Sequence, residues 1–264
     1  MIIKTEIIDS FLENGNLDAV KNHWIYHSII PGQYTFEEPK HVNKELLVHL
    51  YETIQSRLYK FKPLNEALWH QVFGDMKIPD TTAIYLIAGS PKPYDGVVRE
   101  DQSGMRCIIL DLIRLCTYAD HLEELDFIAA DFLTHELSHV LMSQKYPYSK
   151  HLPKVEVLKQ LVFDEGIAHF LSYKEDVLSI DWHTDQMNNR REPVYQKLRY
   201  YLTQEYLKPK DFSQANTGPF WDKYASIAGM FAVISYCEQG GKLEELLDKG
   251  PDVFMQLFKE RIYL

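Results

Sequence analysis

Apolar and polar positions follow two different periods along the chain, and the change of period predicts an extended part followed by a helical part. An amphipathic helix is predicted at about residues 42 to 60, where apolar residues recur every three or four positions. The segments Thr81 to Gly89 and Met105 to Leu112 are short, apolar and rich in β-branched residues, which is typical of strands. Val97 and Val98 lie between these segments and indicate a third strand of a small mixed sheet.

Long helical runs dominate the second half of the chain. The first begins at Leu122 and ends before the turn-like sequence KYPYSK, and Pro153 opens a second helix at about Lys154 to Tyr173. Further helices are expected at Pro193 to Leu207, Trp221 to Glu238 and Pro251 to Ile262. We therefore predict an α+β fold with a small N-terminal sheet and a mainly helical C-terminal lobe. The N-terminal lobe is expected to span residues 1–175 and the C-terminal lobe residues 176–264.

The amino-acid composition is that of an ordinary globular protein, and the net charge argues against one class of partner. Hydrophobic residues make up 45% of the 264 positions and charged residues 25%, which excludes a disordered or collagen-like chain. The 28 basic and 38 acidic residues give a net charge of −10, which argues against binding to nucleic-acid phosphates. Three cysteines are too few for a disulfide framework. With no signal peptide or membrane span recognisable in the sequence, we expect a soluble cytoplasmic protein without a membrane partner.

One short motif carries candidate chemistry. His135, Glu136 and His139 form the pattern H-E-x-x-H inside the predicted long helix. Residues four apart share a helix face, so the two imidazoles can reach one Zn²⁺, while Glu136 is placed to contact a water molecule on that ion. The second helix contains FDEGIAHF, in which Glu165 can supply a third ligand and leave a fourth position open. Zinc is therefore the predicted cofactor.

The same residues also have an interpretation without a metal. Two buried histidines beside a glutamate can form a hydrogen-bonded polar cluster between helices, with Glu165 as a surface carboxylate. The helix around the pair is apolar on several sides, which places these groups in or near the interior. A buried carboxylate and two imidazoles without a cation would need a complete set of hydrogen-bond partners, so we favour the metal site.

HELSH followed by DEGIAHF resembles the gluzincins, the thermolysin-like clan of zinc peptidases, and is most similar to small bacterial zinc-dependent proteases with a downstream E-G-x-A motif. The resemblance implies a zincin-like fold in which His135, His139 and Glu165 bind one zinc ion and Glu136 is the catalytic carboxylate. The 25 residues between His139 and Glu165 form a longer spacer than in thermolysin. The third histidine of the metzincin pattern is absent after His139.

The predicted function is hydrolysis of peptide bonds by a zinc-activated water molecule, with Glu136 as general base. The substrate would be a peptide or protein, lying extended along an edge strand near Met105 to Leu112. The alternative is a zinc-binding but catalytically weak protein that holds peptides or partners on the same fold. The sequence does not predict the oligomeric state.

Three further residues receive candidate roles. Tyr224 begins a predicted helix and is a candidate donor to the oxyanion, with core packing as the alternative. His169 lies four residues after Glu165 and can orient a ligand, or be a structural histidine. Gly166, which is unfavourable inside a helix, would be explained by close packing against the first long helix.

Overall fold

A computed structural model describes residues 1–40, 42–147, 152–174, 176–204 and 206–262, with side chains up to residue 256. Within these ranges, four strands form one sheet: β1 (Ile2–Lys4), β2 (Ala83–Ile87), β3 (Gly96–Glu100) and β4 (Arg106–Asp111). The helices are α1 (Glu6–Asn14), α2 (Lys44–Tyr59), α3 (Glu66–Phe73), α4 (Leu112–Cys116), α5 (Leu122–Lys145), α6 (Lys154–Ser172), α7 (Asp185–Leu202), α8 (Pro209–Ser213), α9 (Tyr224–Glu238) and α10 (Leu243–Ile262). The predicted α+β class, with a small sheet and a mainly helical second half, is confirmed.

The starts of α7 and α10 differ most from the predicted ones. Pro193 lies inside α7 and does not open it, because the helix already begins at Asp185, where the hydroxyl of Thr184 accepts a hydrogen bond from the backbone N–H of Met187. Helix α10 begins at Leu243 and is interrupted at Gly250, whose φ of 70° and ψ of 177° are not helical. Among the residues that the structure describes, no helix has both the length and the apolar character needed to span a membrane.

The sheet is mixed and has the strand order β1-β2-β4-β3. Strands β1, β2 and β4 are parallel, whereas β3 is antiparallel to β4. Strand β4 is hydrogen-bonded on both sides and is buried from Cys107 to Asp111. The prediction of an edge strand at Met105 to Leu112 is therefore wrong: in the sheet of the described residues, β3 forms that edge.

The chain divides into two compact units. The first contains residues 1–62 and 77–140, and the second contains residues 63–76 and 141–264. The division falls at residue 140, whereas the sequence-based lobes divide after residue 175. The difference arises from α6, which packs against α7 and α9 in the second unit and therefore groups with the C-terminal helices.

The core of the first unit lies around the two central strands. Ile84, Leu86, Ile108 and Leu110 are fully buried there, and helices α1 and α4 pack against β2. The end of β4 leads directly into α4 because the carboxylate of Asp111 accepts a hydrogen bond from the backbone N–H of Arg114. These contacts fix the position of β4, and β3 pairs with β4 as the edge strand of the sheet.

The second unit is built on a close crossing of α6 and α9. A Cβ atom built on Gly166 would lie 2.6 Å from the Cα of Gly229, so the two backbones touch at these glycines. The helix that packs closely against Gly166 is therefore α9, and not the first long helix as the sequence suggested. Asn65, just before α3, donates hydrogen bonds to the carbonyls of Leu171 (2.9 Å) and Lys174 (2.6 Å), and so completes the C-terminal end of α6.

Candidate metal centre

The two histidines of the H-E-x-x-H motif lie side by side on α5. Their Nε2 atoms are 3.1 Å apart, and the ring planes are nearly perpendicular at 87°. Ser138 is satisfied within the helix, because its hydroxyl donates to the carbonyl of Thr134 at 2.7 Å. Two imidazole nitrogens at this distance either share a proton or bind a common cation, since two facing lone pairs repel each other. The helix thus presents a pair of ring nitrogens at one point, as the motif predicts.

Glu136 lies between these histidines in the sequence and is buried, with 4% of its surface exposed. Its carboxylate faces the first residue of β3, since a Cβ atom built on Gly96 would lie 2.8 Å from Oε1 of Glu136. A positive charge is also near. Burial lowers the pKa of the Arg99 guanidinium, and the negative charge of Glu136 partly opposes that effect. Glu136 therefore stands where a carboxylate is electrostatically supported and close to the sheet edge.

Glu165 is buried on α6, and each of its two carboxylate oxygens accepts a hydrogen bond. Nδ2 of Asn216 donates to Oε1 at 2.9 Å, and Oγ of Ser226 donates to Oε2 at 3.2 Å. Nδ1 of His169 lies 3.4 Å from Oε2. These contacts restrict the rotation of the carboxylate, which is what a preorganised metal ligand requires.

His169 lies beside Glu165, as the four-residue spacing predicts, and it is almost fully buried. Its Nδ1 is 3.0 Å from the backbone carbonyl of Glu165, which accepts a hydrogen bond from that nitrogen. In the neutral ring this assigns the proton to Nδ1 and leaves Nε2 with a lone pair. The ring also packs near Phe220, with 5.4 Å between the centroids. His169 is thus prepared to act as a ligand as well as to orient one.

Tyr224 occupies the first position of α9 and is fully buried. Its hydroxyl is 3.2 Å from the carbonyl of Asp211, to which it donates, and its ring lies 5.0 Å from that of Tyr201. Burial raises the pKa of Tyr224 above its usual range. These surroundings agree with the packing alternative, and its role as an oxyanion donor stays a prediction.

Within the part of the chain that the structure describes, His135 and His139 form one pair of donors on α5, and Glu165 and His169 form another on α6. The set predicted from the sequence is His135, His139 and Glu165. Two imidazoles and one carboxylate are a donor set that suits Zn²⁺. The chemistry of the residues therefore fits the metal that the motif implies.

Sequence reasoning missed three residues that contact Glu136 or Glu165, namely Gly96, Asn216 and Ser226. Ser226 carries a signal, since it is a polar residue inside the apolar helix α9, two positions after Tyr224. Gly96 directly precedes Val97 and Val98, and its local sequence does not indicate that Glu136 lies against it. Asn216 lies in an irregular loop, where nothing local indicates that its amide reaches Glu165.

No family model, curated protein or solved structure matches the chain. The resemblance to gluzincins accordingly remains a prediction that rests on two short motifs. What the chain does has to be argued from the chemistry of its own residues.

Proposed function

We propose that the chain is a zinc-dependent peptidase of the gluzincin type. The observation that carries the proposal is the pair of imidazole nitrogens 3.1 Å apart on α5, with the buried carboxylate of Glu136 between them in the sequence. The proposed ligands are His135 and Glu165 together with one further histidine. The sequence resemblance assigns this position to His139, whereas the contacts of His169 with Glu165 on the same helix support His169.

A bound zinc ion would polarise a peptide carbonyl and acidify a water molecule. Glu136 would take a proton from that water and deliver it to the departing amine. Asn216 and Ser226 would keep the Glu165 carboxylate in one orientation through their hydrogen bonds to its two oxygens. No covalent intermediate with a side chain is needed.

Strand β3 is the proposed site for the peptide backbone. It is the last strand of the sheet on the side of β4, and an extended peptide can hydrogen-bond to such an edge. The carboxylate of Glu136 lies against its first residue, Gly96, so a peptide on this strand would pass close to the proposed general base. We therefore propose that the peptide adds as a further strand to β3, and not to β4.

The decisive experiment compares hydrolysis of a mixed peptide library by the native chain and by Glu136→Gln. We expect the substitution to reduce kcat/KM by about 100-fold or more while zinc stays bound, because general-base catalysis contributes about 10² to 10⁴. Glu123→Gln is the matched control, since Glu123 is an exposed carboxylate on the same helix. Equal rates for the native chain and Glu136→Gln would contradict the proposal.

A catalytically weak, peptide-binding protein is the second candidate. The engagement of the Tyr224 hydroxyl with the carbonyl of Asp211 favours it, because a donor to the oxyanion is then lacking at that residue. Retention of library peptides without any cleavage by the native chain would support this candidate and exclude the peptidase.

Alanine substitutions at the histidines identify the ligand set. Zinc per chain, measured by elemental analysis, is expected to fall to background for His135→Ala and for the true third ligand. Replacement of a histidine that only orients a ligand would instead lower the affinity for zinc by about 10- to 100-fold. His183→Ala is the control, because His183 is an exposed histidine that pairs with Glu238. Full zinc content in every variant would contradict a site at these residues.

We also propose that the protein is cytoplasmic. Cys107 and Cys116 are buried free thiols, and burial raises the pKa of each to about 12, so both stay protonated. Free cysteines are typical of proteins in reducing compartments. Cell fractionation that recovers the chain outside the cytoplasm would contradict this assignment.

A further inference from the structure

The first residue of β3 has room for a hydrogen atom but not for a methyl group. A Cβ atom at Gly96 would lie 2.8 Å from Oε1 and 3.3 Å from the carboxyl carbon of Glu136, and 3.1 Å from Cδ2 of Leu110. Real Cβ atoms essentially never come within 3.0 Å of such a neighbour. The φ of Gly96 is outside the left-handed region, so the backbone itself would accept other residues. The requirement for glycine comes from the space that Glu136 occupies.

The start of β3 cannot simply move away, because the preceding residue is fixed. Oδ1 of Asp95 accepts a hydrogen bond from Nε of Arg114 at 2.5 Å, and Oδ2 accepts one from the hydroxyl of Tyr118, also at 2.5 Å. The backbone carbonyl of Asp95 accepts a further bond from the N–H of Asp111 at 2.9 Å. Three contacts thus hold the residue before Gly96 to β4 and the segment that follows it.

A second anchor holds β3 three residues further on. The guanidinium of Arg99 donates to the carbonyl of Ser28 at 3.0 Å and to that of Ile29 at 2.7 Å. A displaced strand would break these bonds and leave a partly buried cation without its acceptors, which is costly. An added methyl group at Gly96 would therefore displace the side chain of Glu136 and leave β3 in place.

We propose that Gly96 is a positioning residue for the general base, in that its missing side chain determines where the Glu136 carboxylate stands beside the edge strand. This inference rests on the proposed peptidase function. Gly96 contributes no reacting atom. It acts through Glu136, and a general base must lie within hydrogen-bond reach of the proton that it removes.

A double-mutant cycle tests the inference. Gly96→Ala is expected to lower kcat for a fluorogenic peptide chosen from the library by about 100-fold, since a displacement near 1 Å costs about that much. KM and zinc content should stay within about twofold of the native chain, because the edge strand and the ligands are not altered. Glu136→Asp withdraws the carboxylate by one methylene. In that background Gly96→Ala should lower kcat by less than about threefold, since the shorter side chain withdraws the carboxylate from the added methyl group.

Thermal unfolding of the same four chains gives a readout that does not depend on hydrolysis. Gly96→Ala should lower the midpoint in the native background and have a smaller effect in the Glu136→Asp background, because the two positions are in contact. Native kcat in Gly96→Ala, or equal effects in both backgrounds, would overturn the inference. If the native chain cleaves no peptide, the proposed function fails, whereas coupled midpoints would still establish the contact.

Discussion

Replacement of Gly229 by alanine tests the close crossing of α6 and α9. A Cβ atom at this position would lie 2.1 Å from the carbonyl oxygen of Val162 and 2.7 Å from the Cα of Gly166. Ordinary van der Waals contact begins at 3.4 Å, so the helices would have to separate by about 1.3 Å, the difference between 3.4 and 2.1 Å. Both neighbours are backbone atoms, and no side-chain rotation can relieve the clash.

The expected loss of stability follows from two opposing effects. Overpacking costs about 1–3 kcal/mol, and the upper end applies here because backbone atoms must move. Alanine in place of glycine inside a helix contributes about 1 kcal/mol in the opposite direction. The net destabilisation at Gly229→Ala is therefore about 2 kcal/mol. For a chain of this size that corresponds to a Tm lower by about 4–8 °C.

Thermal unfolding followed by circular dichroism measures the effect. Asn189→Ala is the control, because Asn189 is exposed on α7 and an alanine there changes only helix propensity. Zinc affinity is a second readout, since a displaced α9 would draw Ser226 away from Glu165. A Tm for Gly229→Ala at or above that of the native chain would refute the reasoning from the close crossing.

Three further outcomes are expected. Asn65→Ala should lower the free energy of unfolding by about 1–3 kcal/mol in a denaturant titration, because carbonyls at the end of α6 lose their donor, and a change below about 0.5 kcal/mol would argue against this. Burial raises the pKa of Asp111 to about 6. Because its folded-state pKa lies above the unfolded value, its contribution to stability should fall as the pH rises from about 4 to 6; a carboxyl NMR midpoint near 4 would exclude this. Asn216→Ala and Ser226→Ala should each weaken zinc binding by about 10- to 100-fold in competition with a chelator, and unchanged affinity would show that they do not orient Glu165.

Features determined by local sequence were predictable. The spacing of His135 and His139 and the apolar periodicity around them place the motif on a helix, which the structure confirms for α5. The same holds for α6, whose predicted limits differ from the observed ones by one residue at the C-terminal end. Both depend on contacts within a few residues, where helix geometry alone relates spacing to position.

Features that depend on long-range packing were not predictable in the same way. The sequence identifies β3 and β4 as strands, but which of them forms an edge depends on pairing with β2, about twenty residues earlier. Similarly, an unfavourable glycine at 166 indicates a close approach without naming Gly229 as the partner. The amide of Asn216 reaches Glu165 from a loop 51 residues away, and no local pattern encodes such a contact.

The chain enters the second compact unit twice, first with residues 63–76 and again from residue 141. The segment of residues 63–76 contains α3, which packs against α10. It also contains Asn65, whose side chain donates a hydrogen bond to a carbonyl at the C-terminal end of α6. A fragment that begins at residue 141 would therefore lack one of its own helices and expose the surface that α3 covers. We expect such a fragment to aggregate when expressed alone and to recover solubility when a peptide of residues 63–76 is supplied. Autonomous folding thus requires two separate stretches of the sequence.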